Sequence, residues 1–244
     1  MNAKELFHAG KLDDAIQALV AELKNDPGND RQRTFLFELL CFAGEYDRAE
    51  KQLDVLARSS NKNAELGTLL YRGAMAAERT RQGMFESGKF PDSEAETVSG
   101  TLDDRRFEWI SDADPRIGPK LEVFAAGAYM WIPFDKIESI EIPQPRRLRD
   151  LLWTPAVVRT GPAFADKDLG EVLLPAMCPL SARSADSAVR LGRSTVWEES
   201  AEGAIPLGQK VLIVDDEEVP LLEIRRLTFD AGVAAPEDEA AAAG

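Results

Sequence analysis

A spacing of 34 residues recurs near the start of this chain. Four positions return at that distance: Gly10, Asp13, Ala15 and Leu19 are answered by Gly44, Asp47, Ala49 and Leu53. Apolar residues follow each glycine at helical spacing, and glycine permits the sharp turn that joins two helices. Because a repeat of this length buries its apolar side only against a neighbour, the pattern predicts stacked helical hairpins.

The turn segments give the hairpins their local chemistry. Ala9–Asp13 and Ala43–Asp47 each supply a glycine turn and an aspartate that we expect to cap the second helix. Period and chemistry together resemble the tetratricopeptide family over residues 3–62. A third helix is predicted from Glu65 to Phe85, but no third turn follows, since Glu78 stands where the repeat would place a glycine.

Stacked hairpins usually leave a concave face that accepts an extended or helical segment. By repeat position, ten residues are predicted to line this face and bind a partner: Lys4, Phe7, His8, Arg31, Thr34, Glu38, Cys41, Phe42, Arg72 and Met75. They combine apolar anchors with charges, as a peptide-binding groove does. The alternative is that the helices are only a scaffold that forms a core, and the sequence leaves both interpretations open.

The pattern changes after Leu102 to short apolar runs broken by proline and glycine. Ala128–Phe134 and Ile137–Ile142 are predicted strands, and the runs that flank Asp215–Glu218 predict a terminal hairpin. The fold class is therefore α+β. The predicted units are tetratricopeptide-like hairpins over residues 1–90, a small antiparallel-sheet α+β domain over 91–230, and a disordered, acidic, Ala-rich tail over 231–244.

Charge and composition restrict the partner. The chain has 29 Lys and Arg against 43 Asp and Glu, a net charge of −14, which argues against nucleic acid and anionic membrane surfaces. The start lacks the apolar core of a signal peptide, and no apolar run approaches the roughly 18 residues of a membrane span, so we expect a cytoplasmic protein. Cys41 and Cys178 are expected to be buried thiols rather than a disulfide or zinc site.

Four uncommon segments follow one another in the second half of the chain. They are Phe107–Glu122, Trp131–Phe134, Leu148–Ala156 and Arg190–Trp197. Together they resemble the ImpE family, also called TagJ, of type VI secretion accessory proteins, over most of the chain. One departure lies in the turn before the first segment, where Leu102-Asp-Asp-Arg stands in place of the family's usual Asp-Gly pair.

The resemblance implies a non-catalytic adaptor of the contractile secretion machine. Family members are associated with the small sheath subunit, whose N-terminal helical segment they bind. Through it they are associated with sheath turnover by the unfoldase. A general tetratricopeptide scaffold unrelated to secretion is an alternative.

A catalytic alternative comes from the carboxylates of the second half. Asp112, Asp114 and Glu122 could bind a divalent metal or act as an acid–base pair. His8 is the only histidine, however, so histidine-based zinc sites and triads lack a second component. We instead expect an internal ionic and aromatic network without a cofactor, formed by Trp109, Asp112, Asp114, Arg116, Glu122, Trp131, Arg149, Asp150 and Trp153.

Overall fold

The computed structural model describes residues 1–58, 62–92, 94–161 and 169–230. In the helix that begins at residue 62, it describes the side chains from residue 67 onward. Its helical half has five helices: α1 Ala3–His8, α2 Leu12–Asn25, α3 Asp30–Phe42, α4 Tyr46–Leu56 and α5 Lys62–Ser87. Gly10 and Gly44 have φ of 76° and 70°, the left-handed conformation that the predicted turns require. The two hairpins and the closing helix are therefore confirmed.

Two details of the helices differ from the sequence prediction. Asp13 and Asp47 lie inside the first turns of α2 and α4, whose N-caps are Lys11 and Glu45 without a side-chain cap bond. The aspartates instead form ion pairs outside their own helices. Helix α5 is also longer than predicted, because its 26 residues extend beyond both ends of the predicted range, Glu65 to Phe85.

The second half is built on an antiparallel sheet of eight strands, in the order β2-β1-β13-β6-β7-β8-β4-β5. Its strands are β1 Gly100–Leu102, β2 Arg105–Phe107, β4 Lys120–Ala125, β5 Ala128–Pro133, β6 Ile137–Glu141, β7 Trp153–Thr160, β8 Gly170–Pro175 and β13 Arg226–Phe229. Smaller sheets are formed by β3 Ile110–Asp112 with β11 Val211–Val214 and β12 Glu217–Pro220, and by β9 Thr195–Ser200 with β10 Gly203–Gly208. A short helix, α6, spans Ser187–Arg190.

The predicted hairpin around Asp215 is present as β11 and β12, but it is not terminal. After it the chain continues into β13, which pairs with both β1 and β6 in the large sheet. Asp215 and Asp216 have φ of 48° and 70°, as two-residue hairpin turns require. Asp103 and Asp104, with φ of 42° and 71°, form the same turn between β1 and β2 without a glycine.

The two halves share a hydrophobic core. One cluster of buried residues includes Phe37 and Leu40 of the helices together with Phe124, Trp153 and Leu191 of the second half. A separate cluster lies within the sheet unit. The predicted boundary near residue 90 is therefore a change of secondary structure that the packing crosses, and residues 231–244 of the predicted tail lie outside the described residues.

Candidate functional site

Six of the ten residues predicted to line the repeat face have side chains that solvent reaches. Lys4, His8, Arg31 and Arg72 are exposed, and Phe7 and Thr34 are partly exposed. A groove of about 370 Å³ opens on the first hairpin, between Lys4 and Arg31, with Leu19 and Phe35 at its base. Helices α1, α2 and α3 thus present a small apolar depression with two basic residues at its edge.

The other four residues are buried, which corrects the expectation of an open face along all three long helices. Glu38 is 8% exposed, Cys41 and Phe42 are 2% exposed, and Met75 is fully buried. Phe42 and Cys41 lie beside Leu152, Trp153 and Ala182 around a small cavity of about 20 Å³. The second half of the chain therefore covers the part of the repeat face that these residues form.

Polar contacts also join the second half of the chain to the first hairpin. Arg190 donates hydrogen bonds to the two carboxylate oxygens of Asp13 at 3.0 and 2.5 Å. Arg193 donates to the carbonyl oxygens of Phe7 at 2.7 Å and His8 at 3.1 Å, and its guanidinium lies 4.9 Å from the Phe7 ring centroid. The segment Arg190–Trp197, the fourth of the family-like segments, therefore packs onto the end of α1 and the first helical turn of α2.

A buried ionic network lies between α5 and the sheet. Arg81 donates from Nε to Glu122 Oε1 at 2.7 Å and from Nη2 to Glu122 Oε2 at 2.9 Å. Lys210 Nζ lies 2.7 Å from Glu122 Oε2 and also bonds Asp112. Glu78 accepts from Arg81 at 3.1 Å and from the indole nitrogen of Trp153 at 3.2 Å. Each charge in this network faces an opposite charge, which burial requires.

Burial and pairing move the pKa values of the two central carboxyls in opposite directions. Burial raises the pKa of Glu122, but the neighbouring Arg81 and Lys210 charges outweigh it and hold that pKa at about 2. Burial raises the pKa of Asp112 to about 6, against the opposing effect of Lys210. Both side chains are enclosed, at 2% and 5% exposure, so a solvent-borne substrate has no access to either carboxyl.

Four other members of the predicted network make three separate contacts. Arg116 pairs with Asp114 at 2.6 Å, and Trp131 donates to the Tyr129 hydroxyl, which in turn donates to Glu122. Arg149 lies 3.6 Å from Glu38 across the two halves.

Two predicted members do not join the ionic cluster. Asp150 accepts the backbone N–H groups of Arg146 and Arg147 at 2.9 Å each, so it shapes the loop before β7. Trp109 is partly exposed, and its backbone N–H donates to Asp215 at 3.0 Å. Both residues therefore stabilise turns and not the ionic cluster.

Sequence reasoning missed the centre of the network, which consists of Arg81, Lys210, Glu78 and Tyr129. Arg81 is only 1% exposed, although it lies on a helix whose other arginines reach solvent. Lys210 immediately precedes the apolar strand β11, and a charge attached to such a strand is the signal that indicates a buried pair. Glu78 occupies the position at which the repeat lacks its third glycine.

The two cysteines are buried, as predicted. Cys41 and Cys178 are each 2% exposed, and both are free thiols. Burial raises the pKa of the Cys178 thiol to about 12 and raises that of Cys41 as well. Low access and a high thiol pKa make both residues poor nucleophiles.

Comparison with known proteins connects this arrangement to a family. Residues 104–228 match the family described as ImpE protein, which is more than half of the chain. The chain belongs to the ImpE family. Residues 6–72 also match the tetratricopeptide repeat family, in agreement with the two hairpins and the start of α5.

A curated relative and a solved structure extend this result over nearly the whole chain. The type VI secretion system accessory component TagJ of Pseudomonas aeruginosa is 32% identical to this chain, over 94% of it and 92% of the relative. The crystal structure of protein VPA1032 from Vibrio parahaemolyticus superposes with a TM-score of 0.82 at 22% identity, over 93% of this chain and 97% of that one. The latter likeness establishes the shared α+β fold.

Neither a metal-binding cluster nor a membrane-spanning helix is present in the part of the chain that the structure describes. Within residues 1–58, 62–92, 94–161 and 169–230, no three His, Cys, Asp or Glu side chains are grouped so that they could hold a metal ion. Over the same ranges, none of the helices combines the length and the apolar character that crossing a bilayer requires.

Proposed function

We propose that this chain is a cytoplasmic, non-catalytic adaptor of a type VI secretion system. It binds the N-terminal helical segment of the small sheath subunit, and it assists the assembly or turnover of the sheath. Its link to the unfoldase that recycles the sheath is indirect and runs through that subunit.

The observation that carries this proposal is the likeness to a type VI secretion accessory component along 94% of the chain. Residues 6–72 match the tetratricopeptide repeat family and residues 104–228 match the ImpE family, so both halves of the chain have a family match. Tetratricopeptide hairpins are used for binding peptide segments, and helices are among the segments that apolar grooves accept. This combination supports a binding role within the secretion machine.

The accessible part of the repeat face is the proposed contact surface. It comprises the six side chains that solvent reaches: Lys4, Phe7, His8, Arg31, Thr34 and Arg72. Glu38, Cys41, Phe42 and Met75 become available only if the two halves separate, because the second half packs against them. A shared core and a buried ionic network oppose such a separation.

The pairing of the carboxylates favours the adaptor over the alternative of a metal enzyme. Asp112 and Glu122 both bond Lys210, and Asp114 bonds Arg116, so each carboxylate already has a cationic partner. Calorimetric titration with Mg²⁺, Mn²⁺ and Ca²⁺ compares the alternatives directly. We expect no stoichiometric binding; tight binding that Asp112→Asn abolishes would favour the enzyme.

Binding to the purified small sheath subunit tests the proposed partner. Calorimetric titration of the full chain is done with the complete subunit and with a version that lacks its N-terminal helical segment. We expect binding to the first and none to the second. Equal binding to both would overturn the proposed segment, and no binding to either would overturn the proposed partner and favour a scaffold unrelated to the sheath.

A further inference from the structure

The hairpin of β9 and β10 stands apart from the larger sheets. Among the described strands, these two pair with each other and with no other strand. In β10, Pro206, Leu207 and Gly208 are buried, whereas residues 196–199 of β9 are all exposed. Strand β9 is therefore the outer strand of the hairpin, and its free edge lies on the solvent side.

The outer edge of β10 is closed to a further strand. In an antiparallel pair, successive residues point their backbone N–H and C=O groups alternately at the partner strand and at the outer edge. The Gly208 N–H donates to Ser181 Oγ at 2.8 Å, and its carbonyl accepts the Cys178 N–H at 2.8 Å, so Gly208 faces the outer edge and is already bonded. Pro206, two residues earlier, faces the same edge and has no N–H to donate.

The same alternation leaves the outer edge of β9 open. In the register of the hairpin, Gly208 lies opposite Thr195 and Pro206 lies opposite Trp197. The backbone groups of Thr195, Trp197 and Glu199 therefore point away from β10. Within the described part of the chain, no backbone bond to another element uses them. An edge of this kind is a template on which an extended segment adds as one more strand.

The side chains along this edge favour a basic partner. Trp197 and Glu199 are two residues apart, so they lie on one face of the hairpin. Trp197 is 41% exposed, and Glu199 is exposed with no ion pair to any described residue. A carboxylate and the face of an indole ring both attract the cations of Lys and Arg. On the opposite face, Val196 is 38% exposed and offers an apolar contact.

The charge of the hairpin also argues against a second copy as the added strand. Residues 195–208 contain Glu198, Glu199 and Glu202 but neither Lys nor Arg. Pairing of β9 with β9 of another copy would bring the glutamates of both hairpins together. Like charges across paired strands are destabilising, so a segment of opposite charge is the better fit.

We propose that the outer edge of β9 accepts an extended segment of a partner protein in which basic and apolar residues alternate. The basic side chains lie beside Trp197 and Glu199, and the apolar side chains lie beside Val196. This surface is separate from the proposed contact surface on the repeats, with which it shares no residue. It gives a role to Trp197, the last residue of the family-like segment Arg190–Trp197.

Calorimetric titration of the full chain tests this surface, with a short acetylated and amidated peptide of alternating lysine and valine as the probe. We expect stoichiometric binding. Trp197→Ala and Glu199→Lys should each weaken it at least about 10-fold, because each removes a group that attracts the cations. Both side chains are exposed, so the melting temperature should stay close to that of the wild type.

A matched control separates the edge of β9 from net charge. Glu218→Lys makes the same change of charge at an exposed position of β12, which is also the outer strand of its sheet. It should bind the peptide as the wild type does. Glu199→Lys should instead gain binding to a peptide of alternating glutamate and valine, since the charge on the edge is reversed.

Backbone methylation of the peptide tests whether it adds as a strand. Only every second N–H of an added strand points at β9. N-methylation of the lysines alone and of the valines alone should therefore have opposite results, with one set abolishing binding and the other preserving it. Binding by both methylated peptides would overturn the added strand.

The remaining outcomes decide the proposal as follows. Weakening in Trp197→Ala and Glu199→Lys with wild-type binding in Glu218→Lys supports it. Failure of the wild-type chain to bind the lysine–valine peptide overturns it, and so does equal weakening in Glu199→Lys and Glu218→Lys. A free chain that sediments as a dimer, and as a monomer after Trp197→Ala, would make the occupant a second copy and overturn the proposal.

Discussion

Arg81 and Glu122 form a two-point ion pair that joins the helical half to the sheet, although 41 residues separate them in the chain. Arg81 belongs to α5 and Glu122 to β4, and each side chain is 1% exposed. Arg81 also donates to the Met177 carbonyl at 2.9 Å, so one guanidinium connects α5 with two separate parts of the second half. This arrangement fixes the helical array on the sheet at a defined position.

Removal of Arg81 should be among the most destabilising single changes in this region. Arg81→Ala leaves Glu122 and Glu78 buried with less compensation, and breaking a buried pair from one side typically costs about 3–5 kcal/mol. Urea unfolding monitored by tryptophan fluorescence measures the loss. Arg183→Ala is the control, since its pair with Glu86 is 58% and 49% exposed, and it should cost less than about 1 kcal/mol. Similar losses in both variants would contradict the role assigned to Arg81.

The indole of Trp153 should contribute through both packing and its hydrogen bond. Trp153 is 3% exposed and donates to Glu78 at 3.2 Å. Trp153→Ala should cost about 3–5 kcal/mol because it leaves a cavity in the shared core. Trp153→Phe keeps most of the volume but removes a donor to Glu78, and should cost about 1–3 kcal/mol.

An exposed tryptophan provides the comparison for this prediction. Trp197 is 41% exposed on β9, and Trp197→Ala should cost about 1 kcal/mol or less. Chemical denaturation of the three variants gives the order of their free energies of unfolding. An order in which Trp197→Ala is the most destabilised would show that the shared core is not where the stability lies.

The sequence predicted the local features of this fold more fully than its long-range ones. The turns at Gly10 and Gly44 follow from conformations that glycine adopts freely, and the strand Ala128–Pro133 follows from its composition. The insertion of β13 between β1 and β6 depends on pairing between residues that are at least about 85 positions apart in the chain, which no local pattern encodes.

In the candidate site, too, local features were predicted from the sequence and long-range contacts were not. Repeat position placed Phe7 and Phe42 on equivalent faces of the helical array, but burial also depends on what the rest of the chain packs against that face. Trp153 and Leu152 lie beside Phe42, whereas among the described residues the Phe7 ring contacts Arg193, His8 and Phe35. The pairing of Arg81 with Glu122 was likewise not predicted. Helical periodicity indicates which face of a helix is buried, but not which residue lies against that face.

Glu38 should make stability depend on pH near neutrality. Burial raises the pKa of Glu38 from 4.5 to about 7, and the nearby Arg149 charge only partly opposes this. The folded state therefore binds more protons than the unfolded state between these values, so the stabilising contribution of the protonated form is present below pH 4.5 and is lost as pH rises to about 7.

Replacement of Glu38 by glutamine removes this titration. Glu38→Gln should gain stability relative to the wild type as pH rises from 4.5 to 7, by an amount on the order of 3 kcal/mol. Urea unfolding at a series of pH values measures the difference between the two proteins. A constant difference over the range would mean that the Glu38 carboxyl titrates at its ordinary pKa.

Phe42 and Phe7 should differ in what they contribute to folding, although the repeat places both on one predicted face. Phe42 is 2% exposed within the core shared by the two halves, so Phe42→Ala should cost about 3–5 kcal/mol. Phe7 is partly exposed and stacks with Arg193 and, at 5.6 Å between centroids, with Phe35, so Phe7→Ala should cost about 1 kcal/mol. Urea unfolding of the two variants at pH 7 measures both losses under one condition. If Phe42→Ala were as stable as Phe7→Ala, the cover formed by Trp153 and Leu152 would be open in solution, and Phe42 would again be an accessible anchor.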